Sequence, residues 1–95
     1  MNLQSVRTPA RDPREPVSHA LDPLRVGDTE IGVSLTVRLA EDGAWRGRLT
    51  FVDAGEPHAV RETAEIFCGD TEDELWHGVQ RLREHHFRDL FRSLT

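Results

Sequence analysis

From Ile31 to Val52 the chain alternates apolar and polar positions on both sides of a short polar turn. Ile31, Val33, Leu35, Val37 and Leu39 are interleaved with Gly32, Ser34, Thr36 and Arg38, and Trp45, Leu49 and Phe51 resume the same parity after Glu41-Asp42-Gly43. A period of two places all these apolar residues on one face of a β-hairpin. Folding at Asp42 sets Leu39 opposite Trp45, Val37 opposite Gly47, Leu35 opposite Leu49 and Val33 opposite Phe51. The loop suits a type I turn closed by a left-handed glycine at Gly43.

A looser turn over Asp53-Ala54-Gly55-Glu56-Pro57-His58 leads to a third strand expected over Val60 to Cys68. In that reading Ala64, Ile66 and Cys68 face the core. Arg61, Thr63, Glu65 and Phe67 then face outward, and Glu65 lies opposite Arg48. Thr71-Glu72-Asp73-Glu74 is a capping box that opens a helix with three acids in its first turn. No strong breaker follows between Leu75 and Leu94, so one long helix is expected. At about 100° per residue, Leu75, Val79, Leu82, His86 and Leu90 form one apolar stripe, and Trp76, Phe87, Phe91 and Leu94 form a second beside it. Two stripes exceed what one contact surface needs. The second therefore calls for another partner, either the N-terminal arm or a second subunit.

Residues 1–28 lack any period and carry Pro9, Pro13, Pro16 and Pro23 among mixed charges. They read as an extended or disordered arm, with Leu21, Leu24 and Val26 able to pack locally. Residues 29–95 read as a single domain. The expected fold is α+β: a three-stranded antiparallel β-meander packed on one long C-terminal α-helix (βββα), with an extended N-terminal arm. A domain this small buries only about 60% of its unfolded surface, which gives a shared interface value.

The chain has 95 residues and a net charge of −5, which supplies no general basic field for nucleic acid or anionic membrane. No apolar run approaches the about 20 residues of a membrane span, and no signal-type core is visible at the N-terminus. With a single cysteine, no internal disulfide is possible, so a cytoplasmic location is expected. All 12 basic residues are arginine, as a GC-rich bacterial coding bias would produce.

Three constellations carry candidate chemistry. Arg38, Arg46 and Arg48, with Phe67, share the expected outer sheet face. Arg38 opposite Arg46 is a like-charge pair that needs compensation, from Glu65 within the chain or from an anionic partner. His77, His85 and His86 lack the i,i+4 spacing of a helical metal pair, and His86 falls mid-stripe as a core or interface histidine. Cys68, of inward parity, reads as a small hydrophobe rather than a nucleophile. No glycine-rich phosphate loop or Ser/His/Asp arrangement stands out, so neither a cofactor, a metal nor a small-molecule ligand is expected.

The hairpin turn Asp42-Gly43-Ala44-Trp45 and the helix start Gly69-Asp70-Thr71-Glu72-Asp73-Glu74-Leu75 resemble the N-terminal domain of HicB-type antitoxins, over about residues 33–83. That resemblance implies a strand-strand-strand-helix order and a bias towards protein–protein binding. The function expected is a small non-catalytic interaction or regulatory module. It would bind protein, and would self-associate as a dimer through Trp76, Phe87, Phe91 and Leu94. The alternative is an RNA-binding module that uses the arginine-bearing sheet face.

Overall fold

A computed structural model describes residues 14–94. The elements in chain order are β1 (Val17–Ala20), β2 (Leu24–Val26), β3 (Thr29–Leu39), β4 (Trp45–Asp53), β5 (Glu56–Glu62), β6 (Phe67–Gly69), α1 (Glu72–Gln80) and α2 (Glu84–Ser93). The strands make one antiparallel sheet. β3 and β4 form its centre, β1 and β2 share the free edge of β3, and β5 and β6 share the free edge of β4. Among the described residues, the expected three-stranded meander under one long helix is thus replaced by six strands and two short helices.

The central hairpin has the register that its alternation dictates, with Leu39 opposite Trp45, Val37 opposite Gly47, Leu35 opposite Leu49 and Val33 opposite Phe51. Its turn closes through the Gly43 amide on the Ala40 carbonyl at 3.0 Å, and Gly43 holds φ at 87°, a left-handed value that glycine adopts without strain. Ile31, Val33, Leu35, Val37, Leu49 and Phe51 all point to one face. There Leu75 and Val79 of α1 and Phe91 of α2 complete the core.

Part of the segment read as an arm belongs to the sheet. Val17, Ser18, His19 and Ala20 pair with Val37, Thr36, Leu35 and Ser34, and Leu24 lies opposite Ile31 as a core residue 3% exposed. The prolines did not prevent this, because each strand is short and pairs on one side only, where few donors are needed. The remainder of the expected arm, residues 1–13, lies outside the described residues.

The third strand is split and its parity is opposite to that expected. Arg61 pairs with Phe51 and Phe67 with Gly47, so both lie on the core side, whereas Ile66 and Cys68 are exposed. A one-residue change of register moves every side chain to the other face. The outcome follows from burial area. Phe67 buries more apolar surface than Ala64 or Cys68, and Gly47 opposite leaves it room. Between β5 and β6, the buried Thr63 takes over the missing ladder contacts. Its amide donates to the Leu49 carbonyl at 2.9 Å, and its hydroxyl accepts from the Leu49 amide at 3.0 Å.

The expected single helix breaks at residues 81–83. On a straight helix Phe91 would stand about 160° around the axis from Leu75, so both could not reach one sheet. The break turns α2 so that Phe91 meets Phe51, with ring centroids 5.5 Å apart. The same rotation carries His86 out of the apolar stripe to an exposed position.

Candidate functional site

The helix-free face of the sheet carries the three arginines, each beside an acid. Arg38 donates from Nε and Nη2 to the two carboxylate oxygens of Glu65 at 2.6 and 2.7 Å. Arg46 donates to Asp42 at 2.8 Å, and Nε of Arg48 stands 3.6 Å from Glu62. Glu65 therefore pairs with Arg38, and not with Arg48, opposite which the sequence register placed it. The Arg38 fork holds the Glu65 carboxyl below the usual carboxylate range, and raises Arg38 further. Asp42 is lowered first by the Ala44 amide and then by Arg46. The like-charge pair of Arg38 and Arg46 is thus compensated within the chain. Phe67, expected on this face, lies in the core at 8% exposure and offers no stacking surface here.

The second candidate surface lies where α1 and α2 meet the link between β1 and β2. An open groove of about 610 Å³ runs there. Leu21 and Leu24 form one wall, and Trp76, Val79, Leu82 and Phe87 form the other. The helix break makes this groove: it swings Leu82 and Phe87 away from the line of α1 and leaves both half-buried. Trp76 is positioned from two sides. The His19 ring meets it edge-on at 5.1 Å, and its indole N–H donates to Glu72 at 3.3 Å. Asp22 and Glu84 stand on the rim, and the exposed Arg81 and Arg83 lie in the helix break just before Glu84.

The four residues expected to mediate self-association therefore separate. Trp76 and Phe87 line the groove, and Leu94 is half-buried against the core. Phe91 is 7% exposed, with the Arg61 guanidinium 4.8 Å above its ring, and is a core residue rather than a surface one. Leu21 and Leu82 complete the groove; the sequence marked Leu21 only as able to pack locally with Leu24 and Val26, and Leu82 only as a member of the first stripe.

His77, His85, His86 and Cys68 are all exposed. Among the described residues, no three His, Cys, Asp or Glu side chains group as metal ligands. No helix among them is long and apolar enough to cross a membrane. No protein-family model matches the chain, and neither a curated protein nor a solved structure matches it.

Proposed function

We propose that the chain is a small, non-catalytic protein-interaction and regulatory module whose docking surface is the groove between the β1–β2 link and the helix pair. The observation that carries this reading is the set of half-buried apolar side chains Leu21, Trp76, Leu82 and Phe87 around an open cleft. A cleft of this size lined by aromatic and aliphatic side chains is the kind of surface that takes an apolar anchor from a partner.

The partner is a second copy of the chain. A two-fold interface sets the same patch against itself, so it must be self-complementary. Its rim carries the exposed Asp22, and the exposed Arg81 and Arg83 lie in the helix break that bounds it, while Glu84 is held by Arg88 within the chain. Two copies related by a two-fold axis can set Asp22 of one towards the arginines of the other over a shared apolar centre. The resemblance to HicB-type antitoxins adds a bias towards protein partners. The nucleic-acid alternative draws less support, because Arg38, Arg46 and Arg48 stand beside Glu65, Asp42 and Glu62.

Sedimentation equilibrium at tens of micromolar tests the reading. A dimer is expected for the wild type, and a folded monomer for Phe87→Glu, which puts a charge into the groove. A wild-type monomer throughout that range, with Phe87 shielded by residues 1–13, would defeat the reading.

A further inference from the structure

The helix that forms one wall of the groove starts on a histidine cap. Arg83, the residue before α2, has an extended backbone with φ −102° and ψ 171°. Its N–H donates to Nδ1 of His86 at 2.9 Å. The Arg83 carbonyl in turn accepts from the amides of His86 and Phe87 at 3.0 and 3.3 Å. His86 thus fills the place that Glu or Gln takes in an ordinary capping box. Such a cap has a property that a Gln cap lacks. Nδ1 accepts a hydrogen bond only while it carries no proton.

Protonation replaces the acceptor by a donor aimed at the Arg83 N–H. It also sets a cation at the positive end of the α2 dipole, beside the His85 ring, whose centroid is 4.0 Å from that of His86. Other charged groups nearby are Arg81 and Arg83 in the break, Glu84, Arg88 and Asp89 on α2, and Asp22 across the groove. Glu84 is held by Arg88 at 2.8 Å. From the strands beneath, Arg61 lies over Phe91 on the buried side of α2, and Arg25 lies opposite Glu30 on the far face of the sheet. Glu84, inside this cap, and Phe87, whose amide donates to the Arg83 carbonyl, are groove residues.

We infer that His86 is a proton-operated cap: its protonation frees the first turn of α2 and loosens the groove wall, so that acidification weakens docking there. The gate rests on the docking reading above, whereas the cap stands on the Arg83–His86 hydrogen bond. The cap is closed while the His86 ring is neutral and opens when Nδ1 takes up a proton.

The test pairs the wild type with His86→Gln, which keeps an acceptor and cannot take up a proton. By nitrogen-resolved NMR, the Arg83 amide is expected to follow the protonation of the His86 ring, and the protection factor of the Phe87 amide, its exchange relative to the unfolded chain at the same pH, to fall as the ring protonates. The dimer constant of the wild type is expected to weaken about fivefold from about pH 7.5 to about pH 5.5, while that of His86→Gln stays level. An Arg83 amide indifferent to the His86 ring, or the same pH dependence in His86→Gln, overturns the inference. A dimer that is pH-independent with His86 protonated overturns the gate alone. A chain monomeric at both pH values overturns the gate and the docking reading together.

Discussion

Arg38 and Glu65 belong to elements that do not neighbour each other in the sheet, yet they close a two-bond fork across it. Arg38 projects from β3 and Glu65 from the link between β5 and β6, with β4 between them. Both guanidinium–carboxylate contacts are 2.7 Å or shorter. The fork spans the gap where the edge changes from β5 to β6, so it ties the least regular part of the sheet to its central strand. Planar bidentate geometry of this kind is specific to arginine.

The fork gives stability an acid limb. Glu65 is held below the ordinary carboxylate range by the Arg38 hydrogen bonds, against a smaller opposing effect of burial, and Asp42 is lowered by the Ala44 amide and Arg46. The unfolded chain therefore takes up these protons before the folded chain does. Their contribution is complete above about pH 4.5 and is lost as pH falls through the lower folded-state values. Glu65→Gln is expected to be less stable than wild type at pH 7, and to lose less stability than wild type between about pH 4.5 and about pH 2.5. Denaturant midpoints at both ends of that interval check it, and an unchanged acid slope would remove Glu65 from the account.

Gly69 is required by a close approach at the junction of β6 and α1. A Cβ there would stand 2.8 Å from the Glu74 Cβ, 2.9 Å from the Leu75 amide nitrogen and 3.0 Å from the Thr71 carbonyl oxygen. Two of these are backbone atoms of the capped first turn and cannot swing aside. Gly69→Ala is expected to cost about 1–3 kcal/mol, read as a lower midpoint in urea. Gly43→Ala is the contrasting case. Nothing lies within 4 Å of its Cβ, and its cost comes from the positive φ alone.

The hairpin and the helix start were legible in the sequence because each rests on a local rule. Alternation and turn chemistry set the pairing of Leu35 with Leu49. The Thr71 hydroxyl accepts from the Glu74 amide at 3.1 Å, as a capping box requires, although the Glu74 carboxylate reaches back to the Asp70 amide rather than to Thr71. The errors lie where long-range packing outweighs local pattern. Over residues 60–68, four small or medium apolar residues on one parity, Val60, Ala64, Ile66 and Cys68, compete with one phenylalanine on the other, and Phe67 prevails because the space beside Gly47 accepts it. Leu75 and Phe91 cannot both reach the sheet from one straight helix, and the only local hint of the break is Gly78, whose cost of about 1 kcal/mol relative to alanine does not by itself end a helix. Arg83 starts the second helix with a histidine cap, which ordinary N-terminal signals do not include. The groove depends on that break, so Leu21 and Leu82 could not be joined to Trp76 and Phe87 from the sequence.

Thr63 acts as a substitute strand residue. Its hydroxyl accepts from the Leu49 amide at 3.0 Å and donates to the Ala64 carbonyl at 2.6 Å, while Leu49 itself is wholly buried. Thr63→Val keeps the shape but leaves the Leu49 N–H without a partner. The cost of an unmet buried donor is about 1–3 kcal/mol. Hydrogen exchange at the Leu49 amide should quicken in step with that loss. Thr63→Ser, which keeps the hydroxyl, should restore protection at Leu49.

Phe87 and Phe91 are one helical turn apart and test whether the aromatic residues of α2 have separate roles. Phe91 is 7% exposed and touches Phe51 edge-on, with Arg61 on its other side. Its truncation removes contacts from the centre of the core, where Phe→Ala changes cost about 3–5 kcal/mol. Phe87 is half-buried at the groove, so part of its ring already meets solvent in the isolated chain and less is lost on truncation. Phe91→Ala is expected to lower stability by that full amount, and Phe87→Ala by about 1–2 kcal/mol. Chemical denaturation at protein concentrations well below any dimer constant isolates these monomer terms from association. Equal costs for the two variants would show that Phe87 is as much a core residue as Phe91, and would take from the groove the side chain on which its docking role most depends.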